Sequence, residues 1–294
     1  MKKLNKNPLV SIGMAVYNGE KYLRQALDAL LSQDYANFEL IICDNASTDK
    51  TPDICAEYAL LDNRIRYYRN YTNIGALYNF DRVFSLASGK YFMWACHDDW
   101  WTSNYISSCL KAFRKSKGIV LVGAECDSVN SKTGNLKFID RGLSTVGFSR
   151  VKRFTHYKHI LHNGNHIGGI FYGLYKRDVL EKVMPMPKII ASDHIIMMAL
   201  CFQGEFATVP KRLMVKRMGG SSDSLKSLSK SHSITNPLLV YGTYFTREFM
   251  LDKIIFQSDK LKPLEKVWLV CWSLVHTFVV VCKRLAMISY RRLR

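Results

Sequence analysis

Residues 10–51 read "VSIGMAVYNGEKYLRQALDALLSQDYANFELIICDNASTDKT", in which apolar runs flank an amphipathic segment. Residues 9–16 and 38–44 are short apolar runs rich in β-forming side chains, which predicts two buried strands. Between them, Leu and Ala recur at helical spacing over residues 23–31, which predicts a helix whose start Asn18 caps. A strand–helix–strand unit with buried strands is typical of a parallel sheet.

The same alternation of strands and helices continues along the chain. The predicted elements that follow are a helix that begins near Pro52, a strand at 64–70, a helix at 73–89, a strand at 90–96, a strand at 118–129, a helix at 191–204 and a strand at 206–218. We therefore expect an α/β fold with a doubly wound, mostly parallel sheet flanked by helices.

The charge of the chain is strongly basic and unevenly distributed. The 294 residues carry a formal net charge of +18, and residues 211–294 hold 16 Lys and Arg against 5 Asp and Glu. A basic end favours an anionic partner such as a membrane surface or nucleic acid, although a solvated basic face gives the same composition. Few aromatic residues lie among these basic ones, so we expect no nucleic acid partner.

The cysteine pattern predicts a reduced protein. None of the eight cysteines forms a C-x-x-C pair, and most lie in apolar runs. Such cysteines are typical of buried thiols in a cytosolic protein rather than of a disulfide framework or zinc knuckle. The N-terminus also lacks an apolar run of the length that a secretory signal requires, so we expect a cytoplasmic chain.

Residues 267–282, "VWLVCWSLVHTFVVVC", predict an apolar helix in the tail. Sixteen residues of helix span about 24 Å, which is shorter than a hydrocarbon core of about 30 Å. Ser273, His276 and Thr277 share one polar stripe with the basic residues Lys283, Arg284 and Arg291. This pattern favours a helix lying in an anionic membrane surface, with the stripe toward lipid phosphates. A helix packed on the sheet and a true membrane span remain alternatives.

The stretch "WACHDDWW", residues 94–101, concentrates ligand-type side chains at the end of a predicted strand. Paired carboxylates such as Asp98 and Asp99 are the oxygen ligands that Mg²⁺ and Mn²⁺ prefer, although loop carboxylates also cap helices. Side chains alternate along an extended chain, so Cys96, His97 and the two aspartates cannot all meet one ion. A thiolate also suits zinc better than magnesium. We therefore expect a metal site formed by Asp98 and Asp99.

Polar residues also follow two other predicted strands. Tyr17 follows the first strand, and Asp44 and Asn45 follow the second. In doubly wound sheets, ligands bind beyond the carboxyl ends of the strands. Asp44 and Asn45 could hydrogen-bond a base or ribose and Tyr17 could stack on the base. The alternatives are an Asx turn for the first two and a core position for the tyrosine.

Four blocks in order carry a family resemblance: residues 10–44, 45–51 with their "NASTDKT", "NIGALYNF" at 73–80 and "ASGKYFMWACHDDWW" at 87–101. Together they resemble the opening of the family 2 inverting glycosyltransferases of the GT-A fold. The resemblance extends over about residues 8–220. It implies transfer of a sugar from a nucleoside diphosphate sugar to a hydroxyl group of an acceptor.

The resemblance also implies roles for individual residues. Tyr17, Asp44 and Asn45 would bind the nucleoside. Asp98 and Asp99 would hold Mg²⁺ or Mn²⁺, with Asp98 also serving the diphosphate through that cation. In "ASDH", Asp193 is implied as the catalytic base, although an acid in this position also suits a plain helix start. The sequence departs from the family pattern at Cys96, where an acidic residue is usual, and at Ala15, where proline is frequent.

The resemblance further implies a division of the chain. Residues 1–120 would form the half of the GT-A domain that binds the nucleotide sugar, 121–222 the half that binds the acceptor, and 223–294 a basic helical tail. Arg217 and the following "GGSS" would form a mobile loop over the diphosphate.

A UDP-sugar is the expected donor. A saccharide or lipid-linked saccharide is the expected acceptor, in assembly of a cell-surface polysaccharide or glycolipid at the inner face of the membrane. Two other functions fit parts of the pattern. A nucleotidyltransferase would need a glycine-rich phosphate loop, which "YNGEKY" does not provide, and a non-catalytic membrane-bound scaffold would not need Asp193.

Overall fold

The computed structural model describes residues 8–162, 167–219 and 243–292, and only the backbone of 162, 243–246 and 280–292 within them. Nine strands of this part of the chain form a single sheet. The strands are β1 (Val10–Val16), β2 (Phe38–Asp44), β3 (Ile65–Arg69), β4 (Tyr91–Ala95), β5 (Trp100–Trp101), β6 (Ile119–Asn130), β7 (Leu136–Asp140), β8 (Leu174–Lys176) and β9 (Glu205–Met218).

Helices flank this sheet on both faces. They are α1 (Leu23–Leu31), α2 (Thr51–Leu61), α3 (Ala76–Ser85), α4 (Tyr105–Phe113), α5 (Arg150–His162), α6 (Arg177–Leu180), α7 (Ser192–Gln203), α8 (Thr243–Gln257) and α9 (Pro263–Arg292), with short 3₁₀ segments at Gly168–Tyr172 and Glu181–Val183.

The strand order is β3-β2-β1-β4-β8-β6-β9-β5, with β7 paired to β6. Its longest ladders are parallel: β1 with β2 and β4, β2 with β3, and β6 with β9. Shorter antiparallel ladders of β8 join β4 to β6. The predicted mostly parallel α/β sheet is therefore confirmed. The predicted division at residue 120 falls inside β6, and the proposed halves share one continuous sheet.

Strand β1 shows why helices pack on both faces. Its large residues Val10, Ile12 and Met14 are fully buried in the apolar layer that contains α1. The opposite face carries small residues, and a Cβ added to Gly13 would lie 2.1 Å from Cγ1 of Val83 on α3. Only a residue without a side chain lets α3 approach the strand this closely.

The expected helix cap at Asn18 is wrong. Helix α1 begins at Leu23, and no side chain caps it. Asn18 instead has a left-handed backbone with φ of 50°, and its Oδ1 accepts the backbone N–H of Thr48 at 2.9 Å. The loop after β1 is therefore tied to the loop after β2, because its polar groups are used between loops rather than for the helix.

Helices α8 and α9 pack onto the rest of the protein through a buried ion pair. The Lys158 side chain on α5 is 0% exposed, and its ammonium lies 2.5 Å from Glu248 Oε2 of α8. It also donates to the backbone carbonyl of Ser273 on α9 at 3.3 Å. The basic tail is thus joined to the sheet domain through α5.

The described polar side chains of the α9 stripe, Ser273, His276 and Thr277, face the protein rather than solvent. Ser273 is fully buried against Lys158, and the His276 ring lies 5.8 Å from the His159 ring of α5. The side chains of Lys283, Arg284 and Arg291 lie outside the described residues, so their orientation toward lipid phosphates stays a prediction. The opposite, solvent-facing side of the helix is apolar. None of the helices in the described ranges has the combination of length and apolar character needed to cross a membrane.

We expect Lys158→Met to destabilise the protein by about 3–5 kcal/mol, because the buried Glu248 carboxylate loses the ammonium group that lies 2.5 Å from it. The measurement is the free energy of unfolding from urea denaturation.

The matched control is Arg24→Met, which breaks an ion pair with Glu57 whose side chains are 50% and 48% exposed. Exposed pairs contribute little, so this variant should unfold at nearly the wild-type urea concentration. Equal effects of the two substitutions would contradict a buried anchor for α8 and α9.

Candidate functional site

The parallel ladders bring three strand ends to one edge of the sheet. Val16 of β1 is in register with Asp44 of β2, and Met14 is in register with Ala95 of β4. The residues that follow each strand therefore converge at this carboxyl edge, as the sequence predicts.

A cluster of three ligand atoms lies at the end of β4. The Sγ of Cys96 and one carboxylate oxygen each of Asp98 and Asp99 lie within 4.8 Å of one another. The prediction that Cys96, His97 and the two aspartates cannot all meet one ion is compatible with this cluster, which contains the thiol but not His97; a metal site of the two aspartates stays a prediction. Strand β4 ends at Ala95 and residues 97–98 form a turn, so the alternation of an extended chain no longer applies at Cys96.

His97 points away from this cluster. A Cβ added to Gly19 would lie 2.7 Å from Cδ2 of the His97 ring, so the imidazole packs against the loop after β1. Burial lowers the pKa of His97 and thereby favours its neutral form. The turn at 97–98 thus separates one candidate ligand from the other three.

Asp99 is a buried carboxylate with an unsatisfied oxygen. The residue is 1% exposed, and its Oδ1 accepts the backbone N–H of Arg217 at 2.9 Å. Its Oδ2 has no hydrogen-bond partner among the described residues. Burial, and secondly the charge of Asp98, raise the pKa of Asp99 to about 7. A buried oxygen of this kind, next to a second carboxylate and a thiol, fits a divalent cation.

Arg217 supports this loop from the neighbouring strand β9. Its guanidinium carbon lies 3.8 Å from the centre of the Tyr22 ring and 4.5 Å from that of Trp100. It donates to the backbone carbonyl of Asp98 and, at 2.7 Å, to Oε1 of Gln25. The arginine is therefore part of the frame under the acidic turn. The predicted loop after it lies, from residue 220 on, outside the described residues.

Two further residues, Lys216 and Tyr172, lie beside the cluster, and Lys216 was missed from the sequence. The ammonium of Lys216 lies 4.8 Å from the centre of the Tyr172 ring, and its charge acts on both Cys96 and Asp99. Alternation along β9 places Lys216 on the same face as buried Met214. This alternation is the sequence signal from which Lys216 could have been found. Tyr172 lies in a 3₁₀ segment that no periodicity marks.

Asp193 is the second residue of α7. Burial raises the pKa of Tyr172 well above its usual value, and Cys96, Asp99 and Asp193 all add to this effect. Tyr172 therefore lies within electrostatic reach of both the acidic turn and Asp193. The role of Asp193 as a base stays a prediction.

Asp44 and Asn45 lie below the surface of the site. Asp44 is fully buried, and its oxygens accept the backbone N–H of Ser47 at 2.9 Å and the hydroxyl of Tyr67 at 3.1 Å. Asn45 accepts the backbone N–H of Ile74 at 3.0 Å. Asp44 thus makes the local turn contact that was the alternative to ligand binding, whereas Asn45 joins the loop after β2 to the loop after β3.

Tyr17 is 44% exposed. The alternative of a core tyrosine therefore does not describe this residue, and its ring is accessible at the carboxyl edge. The nucleoside-binding role of Tyr17, Asp44 and Asn45 stays a prediction.

The sequence profile described as "Glycosyl transferase family 2" matches residues 11–184, which include β1, the acidic turn and Tyr172. The chain belongs to glycosyl transferase family 2. The mixed, mostly parallel sheet flanked by helices confirms the predicted GT-A type of fold, with helices at its C-terminal end.

Curated relatives share this family and cover the chain to different extents. The chain is 33% identical over 140 residues to an uncharacterized glycosyltransferase of Rickettsia typhi, covering 47% of this chain and 43% of that one. It is 30% identical over 175 residues to the putative glycosyltransferase EpsH of Bacillus subtilis, covering 59% and 48%. It thus spans less than half of these two relatives. It is 27% identical over 269 residues to the putative glycosyltransferase EpsE of Bacillus subtilis, covering 90% and 91%.

Solved structures share the fold at low sequence identity. S. aureus TarS in complex with UDP-GlcNAc has a TM-score of 0.64 and 16% identity, covering 90% of this chain and 71% of that one. The mannosyltransferase PcManGT of Pyrobaculum calidifontis, in complex with GDP-Man and Mn²⁺, has a TM-score of 0.54 and 15% identity, covering 99% and 82%.

We expect Asp99→Asn to stabilise the protein when EDTA has removed divalent ions. A carboxyl whose folded pKa is raised from 3.8 to about 7 destabilises the folded state above that pH, and the penalty disappears below pH 4. At about 1.4 kcal/mol per pKa unit, the gain at pH 8 is up to about 4 kcal/mol.

The measurement is urea denaturation in EDTA at pH 5 and pH 8. The wild-type free energy of unfolding should fall between pH 5 and pH 8, because the buried Asp99 carboxyl ionises. The free energy of unfolding of Asp99→Asn should not show this fall. Asp53→Asn on the exposed first turn of α2 serves as the control. A variant no more stable than wild type at pH 8 would contradict the assignment of an uncompensated carboxylate.

Proposed function

We propose that this chain is a metal-dependent inverting glycosyltransferase that moves a sugar from a nucleoside diphosphate sugar, a UDP-sugar in particular, to a hydroxyl acceptor. The observation that carries this proposal is the unsatisfied, buried Oδ2 of Asp99 beside Asp98 and Cys96 at the carboxyl edge of the sheet. The family, and the UDP-GlcNAc and GDP-Man held by proteins of similar fold, support a nucleotide-sugar donor.

Asp98 and Asp99 would hold Mg²⁺ or Mn²⁺ in this proposal. A cation bound there supplies positive charge to the diphosphate as the bond to the sugar breaks. Arg217 keeps the turn in place through its bond to the Asp98 carbonyl, so both carboxylates stay aimed at the same point.

The nucleoside would lie against the loops after β1 and β2. The accessible ring of Tyr17 offers a stacking face for the base. Asp44 and Asn45 lie beneath it and hold the loops that shape the pocket. An additional hydrogen bond from the base to Asp44 is compatible with the remaining acceptor capacity of a carboxylate.

Asp193 would act as the general base. Inversion requires a group on the side of the sugar opposite the diphosphate, which takes the proton of the acceptor hydroxyl as its oxygen attacks the anomeric carbon. Asp193 lies in the first turn of α7. The bond from the anomeric carbon to the diphosphate oxygen then breaks, and the diphosphate leaves with the electron pair.

The deciding experiment measures turnover of a panel of UDP-, GDP- and dTDP-sugars with Mn²⁺, with Mg²⁺ and with EDTA. We expect hydrolysis or transfer from at least one donor, and its loss in EDTA. Absence of binding and of turnover for every donor under every metal would overturn the proposal. Release of pyrophosphate from a nucleoside triphosphate and a sugar phosphate would instead identify a nucleotidyltransferase.

We expect Asp193→Asn to lower kcat by about 10²- to 10⁴-fold, the usual contribution of a general base, with little change in the Kd for UDP and Mn²⁺. The amide keeps the size of the carboxylate but cannot accept the proton.

Asp53→Asn is again the matched control, because Asp53 also lies in the first turn of a helix. Full activity of Asp193→Asn, together with activity lost in Asp99→Asn, would show that another residue is the base. A non-catalytic scaffold would bind the donor without turning it over, and Asp193→Asn would leave that binding unchanged.

The proposed acceptor is a saccharide or lipid-linked saccharide in cell-surface polysaccharide or glycolipid assembly, and the proposed location is the cytoplasmic face of the membrane. The outward side of α9 supports this. Its apolar side chains recur along one stripe and are more than half exposed: Leu264, Val267, Leu274, Val275 and Phe278. Residues 211–294 carry 16 Lys and Arg against 5 Asp and Glu, which suits the headgroups of an anionic bilayer.

We expect the triple variant Val267→Gln, Leu274→Gln and Phe278→Gln to lose flotation with vesicles that contain anionic phosphatidylglycerol. The change removes apolar area from the stripe without altering charge.

Leu60→Gln with Leu61→Gln is the matched control, because these α2 side chains are 89% and 77% exposed and should not affect flotation. Continued flotation of the triple variant would overturn the membrane proposal. A dimer in lipid-free sedimentation that the triple variant dissociates would assign the stripe to a second copy instead.

A further inference from the structure

We propose that the thiol of Cys96 binds the divalent cation together with Asp98 and Asp99, so that the site prefers thiophilic cations over Mg²⁺. This inference rests on the proposed cation site and names its donor set. The family resemblance assigns an acidic residue to this position, so the sulfur is a property of this particular chain.

The geometry places the sulfur among the oxygen ligands. The three atoms lie within 4.8 Å of one another. Two ligands on opposite sides of one ion, with bonds of about 2.0–2.3 Å, are separated by roughly 4.5 Å. The bound on their separations is therefore close to the distance between opposite ligands, and side-chain rotation that brings the atoms closer together would let all three contact one cation.

A second observation points to a ligand at the same place. Asp99, a member of the cluster, is 1% exposed, and its Oδ2 lacks a hydrogen-bond partner among the described residues. A buried carboxylate oxygen is costly when it is unpaired. The thiol of Cys96 cannot relieve this cost alone, because it is a weak donor. A cation between sulfur and oxygen satisfies both.

The choice of cation follows from the donor atoms. Mg²⁺ takes oxygen ligands and keeps much of its water, whereas sulfur selects softer ions such as Zn²⁺, Co²⁺ and Cd²⁺. On binding, a metal–sulfur bond forms, the S–H bond breaks and the proton passes to solvent. Replacing an acid by cysteine thus weakens the site for Mg²⁺ and strengthens it for these ions, with Mn²⁺ in between.

The experiment titrates Co²⁺ into the EDTA-stripped, reduced full chain, with and without UDP. The readout is the sulfur-to-cobalt charge-transfer absorption in the near ultraviolet. We expect this band in wild type and in Cys271→Ser, which removes an exposed thiol, and no band in Cys96→Ser.

A competition between Co²⁺ and Mg²⁺ measures the selectivity of the site. We expect Cys96→Asp to lower the preference for Co²⁺ over Mg²⁺ by at least about tenfold. Even a change to a group that only positions a metal ligand alters metal affinity by about this factor. Circular dichroism of each variant checks its fold.

The outcomes separate this inference from the proposed function. If wild type binds Co²⁺ without showing the band, the thiol is not a ligand and the proposed cation site stands. This outcome needs no variant. A band that persists in folded Cys96→Ser does the same. Absence of Co²⁺ binding by wild type, both with and without UDP, overturns the thiol ligand and the cation site together.

Discussion

Parallel pairing of β1 with both β2 and β4 is the constraint on which the rest of the structure depends. It sends three chain segments out of the same edge of the sheet, so residues far apart in sequence meet there. The pairing itself depends on β1 being covered on both faces. Gly13 makes this coverage possible, because any side chain there would collide with Val83 and separate α3 from the strand.

The acidic turn is held in place by a residue of the neighbouring strand β9. Arg217 stacks between two aromatic rings and bonds the turn through the Asp98 carbonyl, while its backbone N–H holds one oxygen of Asp99. The frame fixes where the carboxylates point but leaves the second oxygen of Asp99 uncompensated. Stability is thereby lost in the ligand-free protein at the place where chemistry would occur, which is a common feature of functional sites.

Much of the fold could be predicted because apolar runs and helical spacing are local signals. β1, β2 and α7 are recognisable from their own residues, and so are the positions of Asp98 and Asp193. Where the prediction failed, the cause was tertiary. Periodicity does not show that β4 stops at Ala95, so the sequence did not place the Cys96 thiol beside the carboxylates of both Asp98 and Asp99.

The polar stripe of α9 illustrates the same limit from the opposite direction. A helical wheel finds the stripe but does not say which side faces the protein. The direction is decided by Lys158, a residue more than a hundred positions away, whose buried ammonium needs the oxygens of Glu248 and Ser273. Lys216 was missed for a related reason, since it reaches the site only through the sheet order.

Tyr157, the residue before Lys158 in α5, contacts α7. The hydroxyl of Tyr157 lies 2.8 Å from Nδ1 of His194, which follows Asp193 in α7. Two consecutive residues of α5 therefore connect the tail helices to the helix of the proposed base. In the proposed function, α5 would therefore fix the distance between Asp193 and a membrane surface in contact with α9. Acceptors whose hydroxyl lies at that distance from the surface would be preferred.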